Sequence, residues 1–282
     1  MEPVVLSLVL LSAFLHALWN ALLKRHEDTE AGVVGVTCVA GVLGGLWALG
    51  LQGQAFPSRA GWMWGLAAGV CEGVYLFTLA RSLRHAPLAL AYTVARGGAL
   101  LVVWPVSVLW LGEPLTPMTV AGATVLAGGL TVMGLVRPSS PAGRGVAWAA
   151  LCAVCIGGYH VAYKKALEAA AQPQALFALS LGVSLPMLLL TRAGSGDRGA
   201  VLRQARKSPL LMLATGALCT LSFALLLTAL ARGGAGAVLT LRNTSIAFAL
   251  VLTLLQGERP GRRQISGAVL VMAGAVMLGW PS

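Results

Sequence analysis

Charge is what this chain of 282 residues has least of: 10% of its side chains are Asp, Glu, Lys or Arg, against about a quarter in an ordinary soluble domain. Acid is scarcer still. Nine carboxylate side chains stand against twenty lysines and arginines, and the two aspartates, Asp28 and Asp197, both fall in polar links. No polar block is long enough to fold as a separate soluble domain. With 57% hydrophobic residues and a mean hydropathy of +0.82, the chain reads as a polytopic membrane protein.

The same scarcities narrow the chemistry. Intramembrane hydrolysis calls for paired aspartates, an HExxH helix or a serine with its base. No apolar segment holds an aspartate, and His16, His26, His85 and His160 form no such motif. An enzyme is therefore not expected, and neither is a metal or cofactor. All five cysteines lie inside apolar segments. Cys152 and Cys155 have CxxC spacing, but one helix turn within lipid lacks the polar surroundings a metal site needs, so they read as small apolar filler. The net charge of +11 does not point to nucleic acid, because most basic residues occupy short links between oily segments, where Lys and Arg fix topology. The first apolar stretch has no basic residue before it and is expected to be a retained span rather than a signal peptide.

What the chain has is length without charge. A bilayer core takes about 20 apolar residues in a helix. Breaking the sequence at charges, Pro and Gly clusters predicts ten spans, near 3–23, 32–51, 61–80, 87–111, 117–136, 145–165, 173–191, 209–230, 235–256 and 263–280. Backbone polar groups in lipid must be satisfied within the segment, so these are helices and the fold is all-α. The short alternating segments of a barrel do not occur.

The chain also repeats. WNALLKR from Trp19 is echoed by YHVAYKK from Tyr159, and LGEPLTPMTVAGATVLAGGL from Leu111 by QGERPGRRQISGAVLVMAGAVM from Gln256. Gly122 then matches Gly267, and Gly129 matches Gly274. This predicts two five-helix halves, 1–138 and 139–282. Five spans is an odd number, so the second half enters the membrane inverted, the arrangement that secondary transporters build around a site near the bilayer midplane.

Arg96 lies near the middle of the fourth span, where arginine costs about 2.5–3.5 kcal/mol on insertion scales. Aligned on its GER link, the second half puts Arg242 within a residue or two of the counterpart of Arg96. Two arginines at corresponding places of an inverted repeat are expected to face each other near its axis. Glu72 is the one acid in the middle of a span, and it reads either as the ion-pair partner of Arg96 or as a proton-coupling group. Even a full pair leaves one guanidinium uncompensated, which favours a substrate bearing a carboxylate or phosphate.

The paired halves, the LGEPLT and QGERP links and the Gly-rich helices after them resemble the ten-helix EamA-type transporters of the drug/metabolite transporter superfamily. SLRHAPLALAY and its counterpart ALARGGAGAVLTL complete the resemblance, which covers essentially the whole chain. It implies a carrier without ATPase parts that moves amino acids, other metabolites, drugs or lipid-linked sugars.

On this reading Arg96, Arg242, Glu72, Trp19, Asn20, Tyr75, Tyr92, Tyr159 and His160 are the candidate substrate-binding residues, with His16 close by. Asn20 corresponds to His160 and Trp19 to Tyr159. Tyr75 lies one turn from Glu72, and Tyr92 one turn from Arg96. Lys24 and Lys164 read as interfacial anchors, Glu113 and Glu258 as carboxylates of the links, and Gly61, Gly65, Gly69 and Gly73 as a packing stripe. The expected function is secondary transport, by export or exchange, of an anionic metabolite such as an amino or organic acid. The alternative is translocation of a lipid-linked or phosphorylated substrate. The partners expected are the bilayer of the cell's inner (plasma) membrane and a small-molecule substrate, with possible proton coupling, in a monomer or weak homodimer. Setting Arg96 and Arg242 aside, 14 of the remaining 18 basic residues follow odd-numbered spans, which predicts those links in the cytoplasm and both termini outside.

Overall fold

In the computed structural model, residues 3–110, 115–134, 140–194, 199–232 and 235–278 are described. Among them every regular element is helical: α1 (Pro3–Lys24), α2 (Thr29–Leu49), α3 (Arg59–His85), α4 (Leu88–Trp110), α5 (Pro117–Gly134), α6 (Pro141–Glu168), α7 (Pro173–Gly194), α8 (Ala200–Lys207), α9 (Pro209–Arg232), α10 (Ala235–Arg242), α11 (Ser245–Leu255) and α12 (Arg262–Leu278). Eight helices are long and apolar enough to cross a membrane, α10 and α11 counting as one. The shorter α5 is apolar as well, and α12 has 17 residues.

Local chemistry sets the helix starts. Asp28, Ser58 and Ser140 each stand just before a helix and accept a hydrogen bond from the amide three residues on, at 2.9, 3.0 and 3.0 Å. This satisfies one of the amides left over at a helix N-terminus. Pro141 opens α6, where its missing N–H costs nothing.

Two differences from the predicted spans have clear causes. The stretch after α7 contains a separate short helix, α8, whose Leu202 is exposed while Ala200 and Gln204 pack inward. The ninth span is broken after Arg242. Asn243 Nδ2 donates to the Leu239 carbonyl at 2.8 Å and Thr244 Oγ1 to the Leu241 carbonyl at 2.8 Å. The amides of Asn243, Thr244 and Ile246 bond three residues back instead of four. Side chains competing for backbone carbonyls tighten and interrupt the helix there.

Packing follows a cross-over pattern. α3 lies on α6 and α7 while α9 lies on α1 and α2; α4 lies on α6 while α10 and α11 lie on α1; α2 packs on α7, and α5 on α12. The α5–α12 contact is made by the glycines that match in sequence. A methyl added to Gly122 would sit 3.0 Å from the carbonyl oxygen of Gly274, and one on Gly129 would sit 2.8 Å from that of Gly267. Only glycine allows the backbones so close. The stripe on α3 has the same role: Gly65, Gly69 and Gly73 receive Leu179, Val183 and Met187 of α7.

One end of the bundle is basic and tied by charge. Glu30, at the start of α2, meets Arg81 and Arg84 at 3.0 and 2.8 Å, and Asp28 meets Arg192 at 2.9 Å. Lys24, at the end of α1, reaches Glu258 in the α11–α12 link at 3.0 Å and donates to the Ala86 carbonyl at 2.9 Å. The sequence marked Lys24 as an anchor and Glu258 as a link carboxylate; the fold joins them. The other end is held by hydrogen bonds to backbone carbonyls, from Ser58 Oγ to Ala169 and from the Gln172 amide to Ala55. Lys164 lies 3.9 Å from Glu168, and Glu113 falls outside the described residues. The outer surface is apolar, with Leu49, Leu109, Leu190, Leu210 and Leu255 projecting away from the bundle. Most of the larger polar side chains of the spans, among them Glu72, Arg96, His16, His160 and Arg242, face inward.

Candidate functional site

The inward polar groups gather where α1, α3, α4, α6, α9 and the α10–α11 break converge. Arg242 is the last residue of α10 and is wholly buried. Its guanidinium donates to Ser12 Oγ at 3.2 Å and to His16 Nδ1 at 2.9 Å, and lies 5.3 Å from the centre of the Phe223 ring. Trp19 Nε1 also donates to His16 Nδ1, at 3.2 Å. With two donors aimed at it, Nδ1 must be the unprotonated nitrogen of a neutral ring. Arg242 is thus solvated by a hydroxyl, an imidazole and an aromatic face, all neutral. Its Nε has no hydrogen-bond partner among the described residues.

Arg96 is buried on α4, one turn beyond Tyr92. It borders a small cavity of about 20 Å³ with Ala99, Leu100, Val103, Ile156, His160, Leu239 and Asn243. Its Nε and one terminal nitrogen have no partner among the described residues. Such a cavity has room for about one water. A metabolite can therefore enter only if α4, α6 and α10 separate.

Glu72 is buried on α3 and held by side chains of α6 and α7. Tyr163 OH donates to its carboxylate at 2.6 Å and lies 2.8 Å from Ser180 Oγ on α7. Among the described residues no ion pair joins Glu72 to Arg96 or Arg242. The ion pair raised by the sequence is not formed in this conformation: the tyrosine occupies the carboxylate, which lies within electrostatic reach of Arg242 without bonding to it.

Aromatic rings fill the space between. Tyr75 and Tyr159 have ring centres 5.4 Å apart, Tyr159 and His160 4.4 Å, His16 and Tyr92 6.0 Å, and Tyr159 and Phe223 6.2 Å. Tyr75 OH, Tyr159 OH, His160 Nε2 and Asn20 Oδ1 make no hydrogen bond among the described residues, while Asn20 Nδ2 is tied to the His16 carbonyl at 2.7 Å. Buried polar atoms are normally satisfied. So many idle ones, beside two guanidiniums with no ion-pair partner among the described residues, leave hydrogen-bonding capacity open to water or to a polar guest.

All nine candidates are buried in the bundle interior. Tyr92, Tyr159, His160 and the two arginines stand together, Tyr159 and His160 within electrostatic reach of both charges. Glu72 and Tyr75 lie along the α3 side. Ser12, Tyr163, Ser180, Phe223 and Asn243 were not singled out from sequence. Tyr163 had a signal, falling one turn after Tyr159; Phe223 had none, being one apolar residue among many. Among the described residues no group of His, Cys, Asp and Glu is arranged to hold a metal.

Residues 143–280 match the EamA-like transporter family. A solved structure with 23% sequence identity superposes with a TM-score of 0.63, over 98% of this chain and 95% of its own; at that identity the likeness is one of fold. No curated protein matches the chain.

Proposed function

We propose that this membrane protein, whose residues 143–280 match the EamA-like transporter family, is a secondary transporter of small metabolites that carry an anionic group, such as amino or organic acids. The observation that carries the reading is the pair of buried guanidiniums of Arg96 and Arg242, each with an idle nitrogen and no ion-pair partner among the described residues, a pair that suits bidentate binding of a carboxylate. Ten spans in two inverted halves, 1–138 and 139–282, would place these arginines at the interface of the repeats. The crosswise meeting of Gly122 with Gly274 and of Gly129 with Gly267 supports that symmetry, as does the exchange of helix contacts between halves. The interrupted helix after Arg242 also supports it, since transporters build midplane sites on broken helices. The small cavity at Arg96 then belongs to a closed stage of the alternating-access cycle.

Purified protein in liposomes should exchange a labelled amino or organic acid against an unlabelled internal pool. Exchange confined to a lipid-linked or phosphorylated substrate would replace this reading with the leaflet-to-leaflet one.

The charge asymmetry favours the basic end in the cytoplasm of the cell's inner membrane, with both termini outside. A C-terminal fusion to a reporter that fluoresces only in the cytoplasm should leave cells dark, and bright cells would reverse the orientation.

A further inference from the structure

The basic end carries a second cavity that the central site does not use. It measures about 720 Å³ and lies among Pro87, the end of α5 at Val132 and Met133, Thr253 on α11, and the α11–α12 link. Arg259, Arg262 and Arg263 all border it, all are exposed, and none forms an ion pair among the described residues. Glu258, which also lines the cavity, is committed to Lys24. Three guanidiniums therefore share one concavity with a single carboxylate, whose Oε1 is bridged to Lys24 and whose Oε2 has no hydrogen-bond partner among the described residues.

The surface next to them is oily. Ile265, Val269 and Val276, respectively three, seven and fourteen residues beyond Arg262, point outward on the same face of α12. Val251, Leu254 and Leu255 are exposed where α11 enters the link. This stripe belongs to the apolar outer surface that faces lipid, so the three arginines open onto a place where hydrocarbon already lies. A molecule with a phosphate at one end and hydrocarbon at the other uses both.

We propose that this cavity binds the headgroup of an anionic phospholipid. Its phosphate is held by Arg259, Arg262 and Arg263, and its acyl chains lie along Ile265 and Val269 in the adjoining leaflet. Guanidiniums match phosphate oxygens in geometry as well as charge, and basic pockets between spans at the membrane surface are suited to such headgroups. The bound lipid would adjoin the link that carries the Lys24–Glu258 bridge. The inference is independent of what the central site carries.

Native mass spectrometry of the purified full chain, titrated with phosphatidylglycerol or phosphatidylcholine, tests it. Wild type should retain phosphatidylglycerol with roughly hundredfold preference, in keeping with three surface-level cations. Arg262→Gln should reduce that preference, and the triple variant R259Q/R262Q/R263Q should abolish it. A control that removes the same charge from the same end, R25Q/R144Q/R206Q, should keep it. Equal retention of both lipids by wild type overturns the proposal, and so does an equal loss in the control. Displacement of the lipid by soluble glycerol phosphate at matched concentration would likewise overturn it, making the cavity a solute site. Arg262 is exposed, so its single variant gives an answer even if the triple variant folds poorly.

Discussion

Arg96→Ala protein is expected to reach the membrane with undiminished thermal stability and to transport at about one-hundredth of the wild-type rate, the loss expected from one charge-assisted hydrogen-bond pair of about 3 kcal/mol. The two readouts together separate function from structure. A buried ion whose partners are in the protein destabilises strongly when it is cut away. Arg96 has no protein counter-ion, and two of its nitrogens are idle, so removing it relieves a desolvation cost instead of breaking a pair. Arg242→Ala should lose transport to a similar degree with a modest loss of stability, because its bonds to Ser12 and His16 go with it. Arg96→Lys should recover little, since an ammonium cannot bind a carboxylate as a planar fork. Wild-type uptake by Arg96→Ala protein in liposomes would remove the arginine from the mechanism. A large drop in melting temperature would make it structural.

Glu72→Gln should uncouple the transporter without stopping it. The amide keeps the size of the carboxyl and still offers Tyr163 an oxygen, so the α3–α6–α7 contact survives. What it cannot do is take up and release a proton. Exchange of substrate across a liposome membrane should persist, whereas accumulation driven by a pH gradient should fall to background, a difference of at least tenfold in final level. Tyr163→Phe removes the donor that holds the carboxylate and should alter the pH dependence while leaving some accumulation. If Glu72→Gln still concentrates substrate under a pH gradient as wild type does, the proton does not travel through this residue.

What is legible in the sequence rests on cost. An arginine in the middle of an apolar run is expensive wherever it points, so Arg96 and Arg242 were marked before any contact was known. The glycines of α5 and α12 were marked by recurring in the repeat, and their spacing is the spacing at which the two helices touch. What stayed hidden depends on partners far away in the chain. Nothing local says that Tyr163 will occupy Glu72, or that Lys24 will meet a carboxylate 234 residues later. The break after Arg242 was hidden for another reason. Asn and Thr inside an apolar stretch fit a helix or a turn, and which it is depends on whether their side chains capture the Leu239 and Leu241 carbonyls. Phe223 looks like filler until a guanidinium is found above its ring.

The central claim is that two buried guanidiniums read an anion, and a ligand screen by thermal stability on purified protein tests it most directly. A ligand that binds only the folded state adds about 2.7 kcal/mol at a hundred times its dissociation constant. Among matched carboxylates, amines and neutral compounds of one size, the carboxylates should raise the melting temperature of wild type and leave the Arg96→Ala/Arg242→Ala double variant unmoved. Stabilisation by amines or neutral compounds alone, or an equal shift by carboxylates in the double variant, would contradict it.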